Sequence, residues 1–147
     1  MDTDASSAEL PEHECWARLR SLEVGRLAVV IDGRPDIFPV NYVVDHGSIV
    51  FRSAPGSKLA AIAEGSPVAF EADGEVDGLA FSVVLKGTAV EVGDRSEHPD
   101  PVDLPLYPWH GTHKPIFVRL APELVTGRCF EIADRRSSHP NHRSPTE

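Results

Sequence analysis

The stretch over residues 39–58, PVNYVVDHGSIVFRSAPGSK, constrains the fold of this chain more than any other. Two apolar runs rich in β-branched residues flank the tight-turn sequence DHG, which predicts a β-hairpin. A Pro-Gly loop follows the second run, and Ser57 is placed to cap a short helix over residues 58–64. The stretch therefore predicts three consecutive elements and the connections between them.

Strand patterns continue on both sides of this hairpin. A helix is predicted over residues 11–25, opened by Pro11 and ended by Gly25. Strands are predicted over residues 26–31, 37–44, 48–53, 67–72, 79–92, 116–120 and 124–132. About seven strands at these spacings are typical of an all-β barrel or sandwich.

The length and composition of the chain indicate one domain. Its 147 residues fall within the usual size of a domain, and a hydrophobic fraction of 41% is enough for one core. We expect the domain to cover residues 11–132, between a disordered N-terminus over residues 1–10 and a disordered tail over residues 133–147. A Pro-rich loop over residues 93–115 interrupts the domain, and a loop of this length is usually functional or mobile.

An excess of acidic residues argues against several classes of partner. The chain has 23 Asp and Glu against 14 Lys and Arg, a formal net charge of −9, so no nucleic acid partner is expected. The apolar runs are too short to span a bilayer, and the acidic N-terminus does not resemble a signal peptide, so no membrane partner is expected. Two distant cysteines are typical of reduced thiols. We therefore expect a cytoplasmic protein.

The loop after the hairpin brings together groups that suit a small anion. Arg52 and Lys58 flank this loop, and Ser53 and Ser57 lie between them. Two cations, two hydroxyls and the unpaired amides of a helix start can hold a phosphate dianion. The alternative is a solvated Arg and a solvated Lys beside an ordinary helix cap.

The first strand of the hairpin carries a second candidate feature, the sequence Pro39-Val40-Asn41. A proline on a strand marks an edge or a bulge, because it cannot donate to the ladder. The amide of Asn41 offers both a donor and an acceptor to a planar heterocycle. The alternative is an edge-strand proline beside an outward-facing polar Asn.

Other chemistries have little support in the sequence. His110 and His113 lie close together in the Pro-rich loop, but no histidine spacing fits a closed zinc motif, so no metal site is expected. The GxSxG and HExxH motifs of hydrolases are absent. The sequence therefore favours binding of a phosphorylated cofactor over hydrolysis.

Five segments in order resemble the pyridoxamine 5′-phosphate oxidase-like family. They are GRLA at residues 25–28, PVNY at 39–42, FRSAPGSKL at 51–59, SVVLKGTA at 82–89 and VTGR at 125–128. The resemblance implies the FMN-binding split β-barrel fold, which is mainly β. It implies six to seven antiparallel strands with an N-terminal helix and a short helix after the third strand.

The resemblance also implies a role for each candidate residue. The flavin phosphate would be held by Arg52 and Lys58 with help from Ser53 and Ser57. The isoalloxazine ring would lie along Pro39, Val40 and Asn41, and against Val50 and Phe51. Trp109 would line the same site from the late loop. The family forms homodimers with the cofactor at the subunit interface, so a second copy of this chain is the expected partner.

The implied function is that of an FMN-dependent oxidoreductase acting on a small molecule that the sequence does not identify. The chain has Ala80-Phe81 where relatives often have a Gly-Trp pair, and the basic residues that would bind a substrate phosphate are not found. Oxidation of vitamin B6 is therefore not expected. Two alternatives remain: a reductase that uses the deazaflavin coenzyme F-420, and a flavin- or haem-binding protein without turnover.

Overall fold

Two-residue turns join three pairs of strands. The computed structural model of the chain describes residues 7–53, 62, 65–92 and 116–132. In the turn sequences Asp32-Gly33, His46-Gly47 and Asp77-Gly78, both residues have a positive φ, between 51° and 82°. This left-handed backbone matches the twist of the flanking strands, and Gly adopts it without steric cost. The turn predicted at His46-Gly47 is thereby confirmed.

The described residues form one helix and seven strands. They are β1 (Ser7–Glu9), α1 (Glu12–Arg20), β2 (Val24–Ile31), β3 (Arg34–Asp45), β4 (Ser48–Ser53), β5 (Pro67–Val76), β6 (Leu79–Glu91) and β7 (Ile116–Glu131). All pairings are antiparallel, in the order β1-β7-β4-β3-β2-β5-β6, and β6 also pairs with β7. This last pairing closes β2–β7 into a barrel, which confirms the predicted mainly-β class.

The barrel interior is filled by alternate residues of its strands. On β6, Phe81, Val83 and Leu85 are buried in the core, as their spacing predicts. The side chains of Cys15, Trp16 and Leu19 bury one face of α1 against the barrel. Apolar burial of this kind is the main favourable contribution to the stability of the fold.

A chain of close contacts joins α1 to the barrel wall. Tyr42 donates a 2.6 Å hydrogen bond from its hydroxyl to the carbonyl of Leu19 and packs edge-on against Phe70, with 4.9 Å between ring centroids. Burial raises the pKa of Tyr42, so the hydroxyl remains protonated and donates. The Phe70 ring lies directly over Gly25, where a Cβ would come within 2.2 Å of it.

Several predicted boundaries are wrong. The helix predicted over residues 11–25 ends at Arg20. Gly25 does not end the helix but lies inside β2, where the Phe70 ring occupies the space that a Cβ would take. Residues 7–9, predicted to be disordered, form β1 on β7. The strands predicted over residues 116–120 and 124–132 are one strand, β7, because a bulge opposite Lys86 and Gly87 accommodates the residues between them. The helix predicted over residues 58–64, apart from the buried Ile62, and the tail over residues 133–147 lie outside the described residues.

Candidate functional site

The outer face of β3 carries two of its three candidate residues. Pro39 and Asn41 are exposed, whereas Val40 between them is only 8% exposed and belongs to the core. Residues 34–41 of β3 pair with β2 and, among the described residues, not with β4, whose register starts at Tyr42. Pro39 therefore lies on an edge segment, where its missing N–H leaves no gap in the ladder.

The candidate residues of β4 likewise lie on both faces of their strand. Phe51 is fully buried in the core, while Val50 is buried but outside the core cluster, on the opposite face of the strand. Arg52 follows in register with Phe117 and is half-buried, on the face that Val50 shares. Tyr42 pairs with Phe51, so Asn41 and Arg52 stand opposite each other where the β3–β4 ladder ends.

The structure thus brings together four of the predicted site residues on one side of the sheet: the accessible Pro39, Asn41 and Arg52, and Val50, which is fully buried. The side chains of Val40 and Phe51 fill the core, so these two residues can reach an outer ligand only through their backbone atoms. Ser53 is described through its backbone, which pairs with Ile116. Ser57, Lys58 and Trp109 lie outside the described residues.

A buried ion pair holds the hairpin that carries this face. Arg119 of β7 pairs in register with Val50, and its Nη2 lies 2.9 Å from Oδ2 of Asp45. Its Nη1 donates to the Ser48 hydroxyl at 2.6 Å. Both charged side chains are 10% exposed. Burial alone would raise the pKa of Asp45, but hydrogen bonds and charges from Arg119 and His46 hold it below its usual value.

The sequence gives no signal of this ion pair, because 74 residues separate its members. Ring closure by β4 and β7 is what places Arg119 beside the β3–β4 turn. The Nε atom of Arg119 is buried and has no hydrogen-bond partner among the described residues, which hold the side chain through its two terminal nitrogens. The arrangement fixes the hairpin end in one position relative to the outer face of β4.

A second polar cluster lies on the same outer face, one strand beyond Pro39. Arg26 pairs in register with Pro39 on one side and with Glu71 on the other. Its Nε donates to Oε1 of Glu71 at 3.0 Å, and its Nη2 contacts Oδ1 of Asp73 at 2.7 Å. Ser82 donates to the other Glu71 oxygen at 3.3 Å. The sequence identifies Arg26 only as part of the GRLA segment. It gives no signal of the contact with Glu71, because 45 residues separate the two and only the pairing of β2 with β5 brings them together.

An apolar groove of about 660 Å³ continues the outer face beyond this cluster. Three of its lining side chains are polar: Lys86, Thr88 and Glu123. The others are mainly small and apolar: Ala28, Val29, Val30, Pro35, Pro67, Val68, Ala69, Gly87 and Leu124. The β7 bulge approaches so closely that a Cβ on Gly87 would lie 3.1 Å from the Ala121 carbonyl oxygen. Gly87 therefore allows the bulge that shapes one wall.

The described residues offer no alternative centre for metal chemistry. Within residues 7–53, 65–92 and 116–132, no three His, Cys, Asp or Glu side chains gather closely enough to hold an ion. The loop histidines considered from the sequence, including His110 and His113, lie outside that part of the chain. In the same part of the chain, no helix has the length and apolarity that crossing a membrane requires.

Comparison with known proteins identifies the family. The family model described as pyridoxamine 5′-phosphate oxidase matches residues 11–129. An uncharacterised Mycobacterium tuberculosis protein, Rv0080, is 32% identical in an alignment 137 residues long that covers 88% of each chain. A crystal structure of a candidate pyridoxamine 5′-phosphate oxidase from Corynebacterium glutamicum is 40% identical, with a TM-score of 0.78, and covers 91% of this chain and 100% of that one.

A second solved structure adds a ligand to the comparison. The FAD-binding protein from Mycobacterium smegmatis is 36% identical, with a TM-score of 0.77, and covers 86% of this chain and 100% of that one. Its fold is therefore shared along nearly the whole described part of the chain. The matches to the family model and to these structures agree with the segments quoted from the sequence, and the chain belongs to the pyridoxamine 5′-phosphate oxidase-like family of split β-barrels.

Proposed function

We propose that the protein is a flavin-dependent oxidoreductase that binds its cofactor on the outer face of β3 and β4. The observation that supports this most is the convergence of Pro39, Asn41 and Arg52 on that face. A flat apolar ring can stack on the exposed Pro39, and the Asn41 amide can donate to and accept from a heterocycle. The half-buried Arg52 supplies the cation that a phosphate needs. The residues present therefore fit a phosphorylated flavin.

The flavin would supply the hydride or electron transfer, and the protein would bind and orient it. Arg52 and Lys58 would hold the phosphate, with Ser53 and Ser57 assisting. Val40 and Phe51 would contribute backbone atoms to the ring site, and Trp109 would cover it. We propose no protein side chain as nucleophile or general base, which fits the lack of hydrolase motifs in the sequence.

FMN is the proposed form of the cofactor, and FAD is a second candidate. The Mycobacterium smegmatis relative, 36% identical, is described as binding FAD. Both ligands share the ring and the ribityl phosphate, so the same outer face would suit either. The deazaflavin coenzyme F-420 and haem are the other candidate cofactors, and identification of the bound molecule would distinguish them from FMN and FAD.

We further propose that two copies of the chain form a homodimer with the cofactor between them. Large apolar side chains remain exposed on the outer face of the barrel, among them Val30, Ile37 and Leu124. Val30 and Leu124 line the apolar groove described above, together with the charged Lys86 and Glu123. A patch that carries both charge signs around an apolar surface can be complementary to itself across a two-fold axis. These features support an interface that lies next to the flavin face.

The experiment that tests this function is a pair of half-reactions on the purified protein. The protein is incubated with NADH, NADPH or reduced deazaflavin under nitrogen, and the flavin absorbance is followed; air or a quinone is then admitted. Reduction followed by reoxidation supports an oxidoreductase. A bound flavin that neither half-reaction changes would favour a storage or sensor protein without turnover.

A further inference from the structure

We propose that Arg26, Glu71 and Asp73 recognise the pyrimidine edge of the flavin ring, the imide N–H between two carbonyl oxygens. The proposal rests on the proposed function, since it names the part of the flavin that this cluster would bind. Neither the sequence motifs nor the family comparison assigns these three residues a ligand.

The position of the cluster relative to Pro39 is the first argument. Directly paired residues of an antiparallel ladder point to the same face, so Arg26 lies beside Pro39 and Glu71 lies beyond Arg26. Neighbouring strands are about 4.8 Å apart. A flat tricyclic ring that stacks on Pro39 and extends across β2 therefore reaches these side chains with its edge.

The chemistry of the cluster matches that edge. Arg26 contacts the two carboxylates through Nε and Nη2 of a guanidinium that carries five N–H donors. Its side chain is 41% exposed, and that of Asp73 is 54% exposed, so both can reach a ligand. The guanidinium can donate to a ring carbonyl, while a carboxylate oxygen accepts from the imide N–H. Flavin and deazaflavin share this edge, so the cluster would bind either ring.

The charge of the cluster also favours one orientation of the ligand on the outer face. Glu71 and Asp73 hold Arg26 at 2.9 Å and 2.7 Å, and Ser82 orients Glu71. One cation and two carboxylates leave the cluster with a net charge of −1, which repels a phosphate dianion. Arg52 stands on β4, on the other side of β3, where the phosphate is expected. The two ends of the face therefore favour opposite ends of a flavin phosphate.

Stability alone gives little reason for this cluster. Its three side chains are 31–54% exposed, and ion pairs at such exposure contribute little to the stability of a fold. Removing the cluster is therefore expected to leave the fold intact, which allows a clean binding test. The variants are Glu71→Met/Asp73→Ala, which removes the carboxylate acceptors, and Arg26→Met, which removes the donors.

The test compares FMN with 3-methyl-FMN, whose imide nitrogen cannot donate. Fluorescence quenching on titration gives both dissociation constants for the wild type, for Glu71→Met/Asp73→Ala, for Arg26→Met and for a control, Glu75→Gln. Glu75 is exposed on β5, outside the cluster. We expect the wild type and the control to bind FMN about tenfold more tightly than 3-methyl-FMN. In Glu71→Met/Asp73→Ala this preference should fall below threefold, and Arg26→Met should weaken both ligands.

Equal affinity of the wild type for the two ligands would overturn the recognition of the imide edge while leaving flavin binding in place. A full tenfold preference retained by Glu71→Met/Asp73→Ala would overturn the assignment to this cluster. If neither flavin binds at all, the proposed function fails, and this inference fails with it. Thermal unfolding of each variant, expected within a few degrees of the wild type, separates loss of binding from loss of fold.

Discussion

Replacing Arg119 by Met should destabilise the protein strongly, because it leaves a carboxylate buried without its main partner. Asp45 is 10% exposed, and its other contact, the imidazole of His46, is 77% exposed and reaches only Oδ1. Breaking a buried ion pair by removing one partner typically costs about 3–5 kcal/mol. The pair lies at a hairpin end, where some water can reach, so we expect the lower value, about 3 kcal/mol.

Urea denaturation followed by circular dichroism measures this loss directly. The midpoint should fall while the slope stays unchanged, because the surface exposed on unfolding is the same. For a domain of this size, a loss of about 3 kcal/mol lowers the melting temperature by roughly 10 °C. The double variant Arg119→Met/Asp45→Asn should recover part of the loss, since no charge is then left buried. A loss below about 1 kcal/mol in Arg119→Met would refute the reasoning.

The pH dependence of the same comparison gives a sign that can be checked. The pKa of Asp45 is lowered in the folded protein, so the carboxylate binds fewer protons than in the unfolded chain. Its stabilising contribution is present above the unfolded value of about 4 and is lost as the pH falls through the lowered value. The gap between wild type and Arg119→Met should therefore narrow below about pH 4. A gap that stays constant from neutral to strongly acidic pH would contradict this explanation.

Three further predictions concern packing, phosphate binding and assembly. Gly25→Ala should cost about 3 kcal/mol or more in urea denaturation, because its Cβ would lie 2.2 Å from the Phe70 ring and 2.9 Å from a backbone oxygen; a loss below 1 kcal/mol would contradict it. Arg52→Ala combined with Lys58→Ala should weaken FMN binding at least a hundredfold in fluorescence titration with an unchanged circular dichroism spectrum; unchanged affinity would move the phosphate elsewhere. Val30→Asp should turn a dimer into a monomer in light scattering, whereas the equally exposed Val90→Asp, outside the groove, should not; a dimer that survives Val30→Asp would place the interface on another surface.

Local patterns predicted the parts of the fold that local physics determines. The predicted His46-Gly47 turn fixes a hairpin because Gly accepts a positive φ. The alternation of Phe81, Val83 and Leu85 indicates one buried face. Barrel closure is different, since β7 changes partners along its length, from β4 to β1 on one edge. No local pattern encodes that exchange or the bulge within β7, so the sequence alone predicts two strands over residues 116–132 and none over residues 7–9.

The candidate site was predictable as a set of segments and not as an arrangement. The sequence grouped Pro39, Val40 and Asn41 because they are consecutive, but the pleat places Val40 on the opposite face from its neighbours. The ion pair of Arg119 with Asp45 could not be predicted, because strand closure alone brings its members together. Contacts of this kind require the register of distant strands, which the sequence does not specify.

The measurement that tests the central proposal most directly is identification of the small molecule that the natively purified protein binds. We expect the two visible absorption bands of an oxidised flavin, and a released molecule with the mass of FMN or FAD, at about one per chain. Protein isolated without ligand should take up added FMN and quench its fluorescence. A colourless protein that binds neither flavin, or a Soret band that indicates haem, would contradict the proposed flavin function.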